Sequence, residues 1–474
     1  MVNLNILSQR YASLEMNAIF SELNKNIYER NLWIAVMKAQ KKLGLNIPSE
    51  DIEKFEAAKT DVNLARIREI EQKTNHDIKA KIQTFIETAG AGEYLHMGMT
   101  SRDLTDNVEQ MQIRDASKLV FSKYISVLRH FGEKANEYED IILTARTHHQ
   151  AAQMTLLGRR FSMWQEELLQ HLPDLENFIK NYPLRGIKGP VGTMSDMATL
   201  LNDYQKAQQL ETSVSLQLGF GIVLDSPGQV YPRSLDYSLV SKLASLSAAP
   251  ENFAISMRLM AGYELVTEGF KEGQVGSTAM PHKMNTPHSE RICGLAELVK
   301  MYSDGISRIS GNQWEEGDVS CSVGRRVIIP DSFYASDGLC ETTLNVLNDM
   351  GTYPQVISAE VDKYLPFLAT TEILQLAVKS GMGREMAHSI IKKYAIDEAL
   401  RMRRGEKPNL VAMLSMTREF KDAGITDLEL NDLMSKRDNF VGMACDQIND
   451  VANKASHWTS KYQESASYEP RPIL

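Results

Sequence analysis

The chain has 474 residues, 43% of them hydrophobic, with 52 Lys and Arg against 61 Asp and Glu for a net charge of -9. That length exceeds one compact core, so two or three domains or one long helical body are expected. An acidic balance without a basic-aromatic run argues against nucleic acid as the main partner, and no apolar stretch nears the ~18 residues of a membrane span.

Read in chain order, helical periodicity dominates and β-branched runs are scarce. Thr100-Ser101-Arg102-Asp103 offers capping oxygens ahead of a long pattern over 108–131, where Val108, Met111, Leu119, Val120, Tyr124, Val127, Leu128 and Phe131 fall mostly three or four apart. Further helical patterns run over 153–178, 235–270, 289–309 and 327–350. Together these predict a five-helix bundle. Glycine and proline mark loops at 183–192, 226–228, 269–287 and 317–324. Beyond Tyr353-Pro354 shorter helices are expected, and 465–474 reads as a frayed tail. Cys293, Cys321, Cys340 and Cys445 are too widely spaced for a zinc or disulfide framework. With no secretory pattern at the N-terminus, a soluble cytoplasmic protein is expected.

Most of the chemistry-bearing residues lie in or beside these loops. Gly276-Ser277-Thr278-Ala279-Met280-Pro281-His282-Lys283-Met284-Asn285, followed by Glu290, combines a hydroxyl, a lysine and an amide on a glycine-flanked segment. Taking a proton from a carbon beside a carboxylate makes a dianion, so such a site needs a base and cationic or hydrogen-bonding partners. Ser277 suits the first role, Lys283 and Asn285 the second. In Arg146-Thr147-His148-His149-Gln150 either histidine could serve as an acid near neutral pH.

The 276–290 run resembles the signature loop of the fumarase and aspartase superfamily of lyases, Gly-Ser-Ser-x-Met-Pro-x-Lys-x-Asn-Pro followed by glutamate. Thr278 and Thr286 depart from it. The resemblance extends over nearly the whole chain, and it implies an all-α homotetramer with three helical domains: 1–107, a central domain 108–358 carrying the loop 269–287, and 359–474. Four central five-helix bundles would form a twenty-helix core, with each site shared between subunits.

The resemblance also implies roles. Ser277 becomes the general base, Lys283 and Asn285 the dianion partners, and His148 the general acid, oriented by Glu290. Thr100 and Ser101, with His96, match the segment that holds a substrate carboxylate, and Thr147 precedes the acid. Arg10-Tyr11, His76-Asp77, Gln229 and Arg291 resemble the branch acting on succinylated purine nucleotides, as do Ser322 and Arg326. A small nucleotide substrate is therefore implied, with no metal or organic cofactor. The reaction would release fumarate, with another substituted succinate such as argininosuccinate, or a non-catalytic scaffold, as the alternatives. Asn75, Met284 and Gly317 stand where that branch has arginine. Arg233 or Arg325 could stand in for the missing charge.

Overall fold

The computed structural model describes residues 5–269, 280 and 282–471. Short helices lead into Ser101–Glu137, which spans 37 residues and runs through the centre of the molecule. Of its predicted stripe only Leu119 is half-buried; the others are buried. This helix packs against Leu157–Asn181 and Cys321–Asp349, and Pro287–Ile309 lies against the latter. Four of the predicted patterns thus carry long helices packed on one another, and among the described residues the fold is all-α apart from two small two-stranded sheets.

Two expectations are corrected. The pattern over 235–270 is two helices, Ser234–Leu246 and Ala248–Gly262. Pro250 explains the break: it has no N–H for the Leu246 carbonyl and its ring crowds that group. The pattern over 153–178 begins as a strand. Ile142–Thr147 and Gln150–Leu156 form an antiparallel hairpin, and the helix starts only at Leu157. Gln150-Ala151-Ala152-Gln153 carries little β-propensity, so tertiary pairing decides here. The hairpin lies on the Pro354–Leu368 helix, burying Leu143, Met154 and Leu156.

A second core runs from Val361 to Phe440 and includes Met154 of the hairpin. The Ala444–Lys461 helix then returns to the main core through Ile448 and Val451. Among the described residues no helix is long and apolar enough to cross a membrane.

Candidate active site

His148 and His149 are the two central residues of the hairpin, with φ of 52° and 62°. Two successive left-handed residues are the mark of a type I′ turn, which normally takes Asn-Gly. A non-glycine residue there costs on the order of 1–3 kcal/mol, and such strain clusters at functional sites. The turn is exposed, and among the described residues the His148 ring makes no hydrogen bond or ion pair, so Glu290 does not hold it within one chain. Arg146 braces the hairpin: it stacks on Tyr263 at 4.3 Å, donates to the His149 carbonyl at 3.2 Å and pairs with Glu360 at 2.5 Å. A cavity of 330 Å³ opens beside the turn, with Arg160 on its wall. Burial pushes that guanidinium down to about 10.

Thr100 and Ser101 open the long central helix as a capping box in which Asp103 accepts the Thr100 amide at 2.8 Å. The other Asp103 oxygen accepts the Lys188 and Gly189 amides at 2.9 and 3.0 Å and pairs with Arg185 at 2.5 Å. Arg102 links this helix start to Ser322 at 3.1 Å. His96, at φ 64°, accepts the Trp33 indole N–H on Nδ1 at 3.1 Å. Burial holds its pKa below the ordinary value, so the ring is neutral with its proton on Nε2.

Several arginines near the start of the long central helix are already committed. Arg185 is fully buried and also donates to the Gly189 and Gly228 carbonyls at 2.9 and 3.0 Å. Arg233 pairs with Asp106 at 3.1 Å, and Arg325 with Asp236 and Glu109 at 2.6 and 2.7 Å. Arg325 is not free to replace a missing anion-binding charge, contrary to the sequence expectation, whereas Arg233 is paired only through Nη2 and its buried Nε and Nη1 have no hydrogen-bond partner among the described residues. Arg10 and Arg326 are exposed, and among the described residues neither has a hydrogen-bond partner. Arg326 lines a cavity of 320 Å³ with Lys25 and Tyr334. Arg291 lies over the Tyr11 ring at 5.4 Å, and its buried Nη1 has no hydrogen-bond partner among the described residues, so Tyr11 and Arg291 come together from distant segments.

Ser277 lies outside the described residues. Lys283, Asn285 and Glu290 are described and exposed. Pro287 occupies the first position of the Pro287–Ile309 helix, so the proline missing at Thr286 is supplied one residue on, where its absent N–H costs nothing. Sequence reasoning missed Glu268. Its buried carboxylate accepts the His288 amide at 3.0 Å, and the Ser289 amide and hydroxyl at 3.0 and 2.9 Å. It thus ties one end of the 269–287 segment to the other. Its only sequence signal is an acid beside Gly269, which does not name its partners.

Burial raises the Glu268 pKa, but the bonds from His288 and Ser289 outweigh it and hold the carboxylate below its ordinary 4.5. A depressed carboxylate contributes stability that is complete above the unfolded pKa and lost as pH falls through the folded one. The protection factor of the Ser289 amide, its exchange rate relative to an unstructured amide at the same pH, is therefore expected to hold at neutral pH and fall only below 4.5, and Glu268→Gln should remove that acid dependence.

A family model described as Lyase matches residues 13–300. The chain is 33% identical over 455 residues to the adenylosuccinate lyase of Saccharomyces cerevisiae, covering 94% of this chain and 93% of that one. The chain belongs to the adenylosuccinate lyase family. The family's protein from Pyrococcus abyssi is 31% identical over 94% of this chain and 97% of its own. Among solved structures, fumarate lyase from Mesorhizobium sp. BNC1 superposes with a TM-score of 0.80 at 20% identity, covering 94% of this chain and 99% of that one. The 3-carboxy-cis,cis-muconate lactonizing enzyme from Pseudomonas putida superposes at 0.82 with 18% identity, covering 96% and 99%. At those identities the two structures speak for the all-α fold.

Within the adenylosuccinate lyase family pattern, two of this chain's departures have a backbone explanation. Asn75, at φ 50°, ends the Leu64–Thr74 helix in the left-handed region that asparagine tolerates. His76, exposed, then caps the next helix through Nδ1, 3.3 Å from the Lys79 amide, and its neighbour Asp77 begins that helix. Gly317 has φ 133°, and an added Cβ would lie 3.1 Å from Val230. Its loop is fastened to the Gln229 segment, whose amide donates to the Glu316 carbonyl at 2.6 Å. Gly317→Arg is expected to lower stability by about 1–3 kcal/mol without tightening substrate binding, checked by chemical denaturation alongside KM. The third departure, Met284, receives a contact from the Tyr353 hydroxyl at 3.6 Å.

Proposed function

We propose that this chain cleaves adenylosuccinate to AMP and fumarate, and the succinylated aminoimidazole carboxamide ribotide of purine synthesis to its carboxamide and fumarate. The observation that carries this reading is the match at 33% identity across nearly both full lengths to the yeast adenylosuccinate lyase. Ser277 takes the proton from the succinyl carbon beside a carboxylate. The electron pair left behind forms the C=C bond of fumarate as the C–N bond breaks, and His148 protonates the departing nitrogen. Lys283 and Asn285 stabilise the dianion that precedes cleavage. Thr100, Ser101 and Thr147 hold the succinyl carboxylates. Arg10, Tyr11, His76, Asp77, His96, Gln229, Arg291, Ser322 and Arg326 receive the rest of the nucleotide.

The exposed His148 ring and the exposed Glu290 are consistent with a site completed across subunits, Glu290 of one chain orienting His148 of another. Apolar side chains that one chain leaves in water support a homotetramer. Val323 and Val327, four apart on the Cys321–Asp349 helix, are 75% and 54% exposed, and Ile255 and Leu259 repeat the spacing on Ala248–Gly262.

Gly317 favours one rival, a lyase acting on another substituted succinate. Ultraviolet assays of purified protein with adenylosuccinate and with argininosuccinate separate the two. Turnover of the first supports the proposal, and turnover of argininosuccinate alone refutes it.

A further inference from the structure

The Arg10–Tyr11 segment meets the central bundle at a residue without a side chain. Gly338 lies in the Cys321–Asp349 helix, and a Cβ there would sit 2.8 Å from the Tyr11 Cβ and 2.8 Å from its carbonyl oxygen. Any larger residue must push Tyr11 away. Beside it, fully buried Asp337 accepts the Ser13 amide at 2.6 Å, and Asp331 accepts the Asn5 side chain. The segment from Asn5 to Ser13 is therefore fixed to one helix at three points.

Asp337 is itself anchored. It pairs with Lys123, also fully buried, which reaches Glu341 at 2.7 Å. Glu341 in turn accepts the Tyr468 hydroxyl and, at 3.0 Å, the Arg471 amide. Arg471 closes the ring by pairing with Glu15 at 2.6 Å. One buried charged triad thus holds both ends of the chain. Breaking such a group leaves an unpaired buried charge, so its geometry is stiff. Asp337, Gly338 and Lys123 take no part in the proposed elimination, yet they determine where Tyr11 lies beneath Arg291.

We propose that Gly338 is a positioning residue for substrate binding: without a Cβ it seats Tyr11 against the bundle, and Asp337 locks that seat so that Arg10, Tyr11 and Arg291 face the ligand together. This rests on the reading of those three as ligand-binding residues. In the full-length enzyme, Gly338→Ala is expected to raise KM for adenylosuccinate about 10-fold or more with kcat within about threefold, because small misplacements of binding groups are costly. A merely structural role would lower thermal stability without that split.

Tyr11→Ala separates ligand binding by Tyr11 from its positioning by Gly338. If it leaves KM unchanged, the binding reading fails and Gly338 has nothing to position. If it raises KM while Gly338→Ala does not, only the positioning inference is overturned. Should Gly338→Ala not fold, Ser13→Pro carries the test from the other side. It deletes the amide given to Asp337 at a backbone φ of -65°, which proline adopts. The same rise in KM with kcat held is expected, and an unchanged KM overturns the inference.

Discussion

Replacing His148 with alanine is expected to slow fumarate release on the order of 10² to 10⁴-fold, the usual contribution of a positioned general acid. The turn geometry supplies a control that separates chemistry from folding. At φ 52° a side chain is strained, so His148→Gly should gain about 1 kcal/mol of stability while losing the same activity. Single-turnover kinetics together with denaturant unfolding check both halves. An active glycine variant would remove His148 from the mechanism. A glycine variant that is inactive and less stable would mean that the ring serves the fold.

The largest stability effect is expected at Arg185. Its guanidinium is fully buried between Asp103 and the Gly189 and Gly228 carbonyls. Arg185→Ala leaves Asp103 charged and buried with only amide donors, at a cost of about 3–5 kcal/mol. Arg185→Lys should rescue little, since one ammonium cannot reach acceptors arranged around a planar fork. Arg326→Ala, by contrast, should raise KM with little loss of stability, because Arg326 is exposed. Urea midpoints measured beside KM for the two substitutions test this division. A stable Arg185→Ala protein with a raised KM would instead assign Arg185 to the substrate.

That division marks how far the sequence could be read. Arginines 185, 233, 325 and 326 look alike along the chain, and only the fold shows that the first three have carboxylates 82, 127 and up to 216 residues away. The long helices were legible because their apolar spacing is local, as in the stripe from Val108 to Phe131. The hairpin was not, because Gln150-Ala151-Ala152-Gln153 becomes a strand only by pairing with Ile142–Thr147 over the Pro354–Leu368 helix. The motif residues could be named one by one, but their assembly could not. Tyr11 meets Arg291, and Arg102 meets Ser322, across more than two hundred residues. The part played by Gly317 follows from a backbone angle that composition does not encode.

The most direct test of the proposed reaction is product analysis of the purified chain incubated with adenylosuccinate. A fumarate-releasing lyase of this family yields fumarate and AMP in equal amounts and leaves argininosuccinate intact. Fumarate from argininosuccinate alone, or no product from either compound with folded protein, would contradict it.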